Sequence, residues 1–207
     1  MDFFGTNLIL FIVSLVIAIS IHEMMHALTA FWLGDDTASD HGRITLNPLA
    51  HIDPLTTILL PIVLIMLHLP PILAAKPVPF NPDRVKFEEF GAALVGLAGP
   101  LTNLALAIVS ALTLGLIQPD FGTLPRDFLL MFINLNVALF VFNMLPIPPL
   151  DGSRVLYAFA PEPVQRVMAQ IEQFGIIAIL LILLIIGPSF LFPIISDLND
   201  YILRLLV

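Results

Sequence analysis

Cysteine is absent from the 207 residues, which removes disulfides, iron–sulfur clusters and thiolate zinc sites together. Charge is scarce as well: 12% of the residues are charged, where an ordinary soluble domain carries about a quarter. Positive charge is the scarcer sign, with 8 Lys and Arg against 16 Asp and Glu and a net charge of −8. A nucleic-acid partner therefore finds no basic footprint. What fills the chain is apolar, 58% of it, with a mean hydropathy of +1.01. That leaves too little polar surface to cover a fold in water, so a soluble domain is excluded. Any bound metal falls to the five histidines and the carboxylates.

A bilayer-spanning helix takes about 20 mostly apolar residues. The first such run extends from Asn7 to about Leu33 and carries no charge before Glu23. It is too long, and too polar toward its end, for a cleaved signal peptide, and it is expected to be a retained helix. A polar, turn-rich stretch follows (34–53), in which Arg43–Leu46 alternates as a strand would. A second apolar run, Pro54 to Ile72, is broken by Pro61 and ends in Pro70-Pro71. The proline spacing through Lys76–Pro82 favours extended backbone.

Phe90–Ile117 and Phe128–Leu145 are long enough to span. After Pro146, Pro148 and Pro149 an amphipathic stretch runs to about Gln173. Phe174–Ile186 completes a span if it borrows the turn before it, and the tail from Phe190 is amphipathic. The expected fold is all-α and polytopic, with about four to five transmembrane helices, a re-entrant segment and short β strands near the site. One membrane-embedded domain is expected over 1–207, with a core at about 7–155, C-terminal helices at 156–207 and no room for an appended soluble domain.

His22-Glu23-Met24-Met25-His26 is an HExxH motif inside an apolar helix. Residues four apart share one face, so both imidazoles can reach a single ion. Glu23 sits about 100° round the helix, close enough to act as a base on an attacking water. Ser14, Ala18 and Ala30 continue the histidine face and let another helix approach closely. Ionisable groups within a membrane span are costly and mark function. Helix-end histidines with a chance glutamate between them are the blander reading, and the apolar surroundings weigh against it.

A catalytic zinc commonly takes three protein ligands. The candidates are His41, His51, His68 and the carboxylates. Asp151 is the most apt, since it follows an apolar span at a break made by three prolines. Position alone serves equally well for a helix N-cap before Ser153. The other three histidines lack a partner at ligand spacing and read as loop or interfacial residues, with His51 beside Asp53 the one to watch.

The HExxH helix, taken with Asn143-Met-Leu-Pro146-Ile-Pro148-Pro149-Leu150-Asp151-Gly152, resembles the site-2 protease family of intramembrane zinc metalloproteases. Gly99-Pro100-x-x-Asn103 is similar to that family's intervening GPxxN helix, and the loops Arg43–Pro54 and Lys76–Pro82 resemble its compact subgroup, without a PDZ or nucleotide-sensing domain. The resemblance covers about residues 20–155. It implies one zinc held by His22, His26 and Asp151, with Glu23 as the base.

Asn103 lies on a stripe with Ala92, Gly96, Gly99 and Ala107, serving helix packing and the site equally. Asn143, one turn before the proline break, serves freed carbonyls or a substrate strand, with the structural role favoured. Asn136, on the same face, reads as packing glue. The phenylalanines and Trp32 read as core and interfacial anchors.

Topology tests the ligand set. Were every apolar run to cross fully, Asp151 would emerge on the face opposite the helix end that lies about 12 Å from His26. The conflict disappears if residues 54–88 dip in and return. Arg43, Lys76, Arg84, Lys86, Arg154 and Arg166 then share one side against Arg126 and Arg204, which turns the mouth of the site toward the cytoplasm. The membrane is expected to be a prokaryotic cell membrane.

The expected activity is zinc-dependent hydrolysis of peptide bonds in transmembrane protein substrates. An extended edge, His41–Asn47 in preference to Lys76–Asn81, is expected to hold the unwound substrate by strand addition. The rivals are a metal carrier or sensor and an inactive scaffold. A carrier does not need Glu23, and a scaffold does not need the complete donor set.

Overall fold

The computed structural model describes residues 3–53, 57, 59, 66, 76 and 78–207. The first apolar run forms α1, Phe3–Trp32, about 45 Å long at the helical rise. It ends where the Gly34 amide bonds Phe31 O and the Asp35 amide bonds Ala30 O, a pairing that satisfies the last carbonyls. Asp35 is fully buried. Its carboxylate accepts from the Thr37 amide (3.1 Å), the Thr37 hydroxyl (2.5 Å) and the Asn81 amide (2.6 Å). Burial opposes its charge, but these bonds and the nearby Arg84 outweigh it and hold the carboxyl below the ordinary range. Asp35 thereby ties the returning chain to the end of α1, where Lys86 N also bonds Leu33 O.

α2 is Glu88–Ile117 and α3 is Leu124–Asn143. α2 starts beside the end of α1 and runs back along it, and both α1 and α3 pack on it. The buried face of α1 is the expected stripe of Ser14, Ala18, His22, His26 and Ala30. On α2 the stripe Ala92, Gly96, Gly99, Asn103 and Ala107 is likewise buried. Leucines, isoleucines and valines on the remaining faces (Leu8, Ile12, Val16, Leu101, Val109, Leu112) are exposed. Such a surface suits lipid.

Past the proline turn come α4 (Gly152–Phe159), α5 (Glu162–Glu172), α6 (Ile176–Ile185), a π-type turn (Gly187–Leu191) and α7 (Phe192–Leu206). α4 packs on α2, and α7 on α3. Gly152 is required at the turn, because a Cβ there would stand 2.3 Å from Met144 O.

Among the described residues three helices are long and apolar enough to cross a membrane, or four if α5 and α6 count as one span. The upper expectation of five is not reached among the described residues. The run 174–186 does not become a straight span by borrowing the preceding turn, since α5 and α6 meet at 102°. The apolar run 54–72 and His68 lie largely outside the described residues, and His68 wholly so.

No strand occurs among the described residues. The alternating segment at Arg43–Leu46 fails to form one because its backbone groups are committed locally. Thr45 N donates to Arg43 O, Thr45 O accepts from His51, and Asn47 N donates to the Thr45 hydroxyl. Alternation signals a strand only where a neighbour can pair with it, and no edge is free at Thr45. Strand addition at His41–Asn47 would have to use backbone groups other than those of Thr45.

Candidate metal centre

His22 and His26 project from one face of α1 with their Nε2 atoms 3.0 Å apart. Asp151 Oδ2 lies 3.2 Å from the first and 3.3 Å from the second. Tetrahedral bonds of about 2.0–2.2 Å require donors roughly 3.3 Å apart, so the triangle has the size that a zinc ion needs. Imidazole nitrogens and a carboxylate oxygen are donors that zinc takes. It is the one cluster of this kind found among the described residues. Both histidine side chains are 9% exposed, while the Asp151 side chain is 24% exposed, so the site opens on the aspartate side.

Asp151 does not cap α4: its side chain makes no capping bond. The fold thus leaves the side chain free of a cap and sets it beside the two imidazoles.

The remaining ring nitrogens explain how the imidazoles are aimed. His26 Nδ1 donates to Val95 O at 2.6 Å, and His22 Nδ1 donates to Asn103 Oδ1 at 2.6 Å. Asn103 Nδ2 in turn donates to Asn136 Oδ1 at 2.9 Å, and Asn136 Nδ2 to Phe132 O at 2.8 Å. The chain has a sense. The Phe132 carbonyl can only accept, which turns the Asn136 oxygen toward Asn103, whose oxygen must then face His22. Both Nδ1 atoms carry the proton and both Nε2 lone pairs face the carboxylate, the outer-shell arrangement that orients metal-binding histidines.

Gly99 makes the approach possible. A Cβ there would lie 2.3 Å from His26 Nε2 and 2.6 Å from His22 Nε2. Asn103 is thus joined to the histidine pair, and Asn136, read from sequence as packing, belongs to the same chain of bonds. Asn143 stays apart, donating to Leu139 O of its own helix at 3.0 Å. Val95 carried no sequence signal, because it acts through its backbone.

Glu23, half-buried, follows His22 and lies within charge range of His22, His26, Asp151 and also His51. His41 is exposed and bonds Thr37 O. His51 is not a surface residue: it is 1% exposed. Beside the centre, an apolar groove between α1 and α2 is lined by Met25, Thr29, Leu97, Ala98, Leu101 and their neighbours.

Residues 121–186 match the model of peptidase family M50. Over the greater part of its length the chain is similar to proteins that share the name "putative zinc metalloprotease". YwhC of Bacillus subtilis is 36% identical over 206 residues, covering 94% of this chain and 89% of the relative. Rip2 of Mycolicibacterium smegmatis is 32% identical over 184 residues, 85% of this chain and 67% of the relative. Rip2 of Mycobacterium tuberculosis is 32% identical over 174 residues, 82% and 64%. No solved structure matches the chain.

Proposed function

The chain belongs to the site-2 protease family of zinc metalloproteases, peptidase family M50, and from that premise we propose that it cuts peptide bonds in or beside transmembrane segments of membrane-protein substrates. The observation that carries this reading is the triangle of His22 Nε2, His26 Nε2 and Asp151 Oδ2, with sides of 3.0 to 3.3 Å. It lies between helices whose other faces are apolar and exposed. One domain over 1–207 holds one zinc, on His22, His26 and Asp151.

A zinc ion bound there supplies Lewis-acid polarisation of the scissile carbonyl and makes water more acidic. Glu23 takes the proton from the attacking water and hands it to the leaving amine. Asn103 and Val95 O keep the imidazoles aimed. The apolar groove beside Met25 and Ala98 suits a hydrophobic segment, and the more open Asp151 side suits entry of its unwound part. A carrier or sensor using the same donors has no need of Glu23 beside them, which favours hydrolysis.

The expected return of the chain to the side it left finds support at the ends of the stretch largely outside the described residues: Lys76 N donates to His51 O at 2.9 Å, so the two ends meet at one place. Arg43, Lys76, Arg84, Lys86, Arg154 and Arg166 then gather on the site's side, which faces the cytoplasm of a prokaryotic cell.

The test is zinc per chain in detergent-purified protein, native against Asp151→Ala, with cleavage of a transmembrane substrate by native and Glu23→Gln protein. One zinc in the native chain, lost from Asp151→Ala, is expected, and Glu23→Gln should keep zinc and lose cleavage by at least about 100-fold. Zinc held equally well by Asp151→Ala overturns the ligand set. Cleavage surviving in Glu23→Gln overturns the base.

A further inference from the structure

The loop after α1 contains a buried imidazole that the reaction as described does not use. His51 closes the short turn Pro48–Ala50, which packs against α1, and it is 1% exposed. Its backbone is anchored, since its carbonyl accepts from Lys76 N and its amide donates to Pro48 O. Its ring is anchored too: Nε2 lies 2.8 Å from Thr45 O. A carbonyl can only accept, so Nε2 carries the proton and Nδ1 of the neutral ring is left as an acceptor.

That Nδ1 is buried and has no hydrogen-bond partner among the described residues. A buried polar atom without a partner is costly, and such atoms are commonly satisfied by an internal water. The ring also lies within charge range of Glu23. A carboxylate and a lone-pair nitrogen cannot bond each other, because both accept. A single water can donate one hydrogen to each.

We propose that His51 is a positioning residue for Glu23, its Nδ1 holding a bridging water that turns the Glu23 carboxylate toward the metal centre. The proposal rests on the reading of Glu23 as the base. In this arrangement Thr45 O sets the imidazole tautomer, the imidazole orients the water, and the water restricts the carboxylate. The folding of Arg43–Leu46 back onto His51 thereby gains a purpose in the site, and Arg43 itself helps, donating to Ala50 O next to His51. His51 touches neither substrate nor metal, so its loss should lower turnover without weakening either kind of binding.

Two amide variants separate the ring's two ends. A glutamine amide reaches about as far as Nε2 and can keep the bond to Thr45 O, but leaves nothing at Nδ1. An asparagine amide stands near Nδ1 and cannot reach Thr45. The measurement is kcat and KM for a transmembrane substrate, with zinc content and Tm, for His51→Gln and His51→Asn in full-length protein in detergent. His51→Gln is expected to keep the native Tm, to keep zinc and KM within about twofold of native and to lose about 10- to 100-fold in kcat, with His51→Asn recovering part of kcat at a lower Tm. Native kcat in His51→Gln overturns the proposal and leaves a role at Thr45 alone. A rise in KM at unchanged kcat overturns it in favour of substrate contact, and loss of zinc or of folding in His51→Gln overturns it in favour of a scaffold role. Failure of the underlying reading looks different, because cleavage would then survive in Glu23→Gln whatever His51 variants do.

Discussion

α2 makes two kinds of interface along its length. From Gly91 to Asn103 it offers mostly glycines, alanines and one asparagine to α1 and α4, and it makes specific bonds to α1 and α3: Val95 O accepts from His26, and Asn103 bonds His22 and Asn136. From Ala107 to Leu114 it offers apolar side chains to Ile133, Val137 and Val141 of α3, with α7 packed alongside. In lipid the hydrophobic effect does little to bring helices together, so close packing and hydrogen bonds must do it. The first half gains association and ligand geometry from the same few atoms. The second half gains association by filling volume. Substitutions should therefore be all-or-none in the first half and graded in the second.

The sharpest way to break that contrast is Gly99→Ala. Its Cβ would occupy the space at the two Nε2 atoms, and one added methyl should abolish zinc binding and cleavage together while leaving the protein extractable and helical by circular dichroism. Zinc retained at native affinity would mean that the helices part without cost, and the all-or-none view of this half would be wrong.

Asn136→Leu should act less severely. It removes the acceptor that fixes the Asn103 amide, freeing that amide to flip and present a donor to His22. Zinc affinity, measured by competition with a chelator, should fall about 10- to 100-fold. A lower Tm with unchanged zinc affinity would return Asn136 to a packing role.

Smallest of all should be Ile133→Val in the apolar half. Loss of a single methylene from a fully buried site should cost about 1 kcal/mol, seen in Tm, with zinc and kcat unaltered. A change in zinc affinity would show that the two halves of α2 are coupled.

Much of this was legible without coordinates, and the reasons are local. Four-residue spacing puts His22 and His26 on one face of any helix. Small residues at Gly96 and Gly99 mark a close crossing, and an apolar run with an HExxH inside it marks costly, functional ionisable groups. Other features resisted reading for equally physical reasons. Asp151 suits a cap and a ligand position alike, and only the turn, with Gly152 close against Met144 O, brings its carboxylate beside the two imidazoles. Val95 contributes a carbonyl, which every residue type has. The Asn136 amide acquires direction from Phe132 O, one helical turn away on its own helix, and meaning from Asn103 on another. Arg43–Leu46 alternates like a strand, yet Thr45 spends its backbone bonds on Arg43 and His51.

The sequence by itself determined the helices, their burial in lipid, the pairing of His22 with His26 and the presence of a glutamate beside them, because these depend on periodicity and composition over a few turns. The tertiary structure decided which carboxylate completes the triangle, which nitrogen of each imidazole faces it, and that His51 is buried within range of Glu23 rather than exposed on a loop. Those are matters of distance and direction between segments far apart in the chain, and donors at 3 Å separation are fixed by helix packing and by hydrogen bonds whose partners no local pattern names.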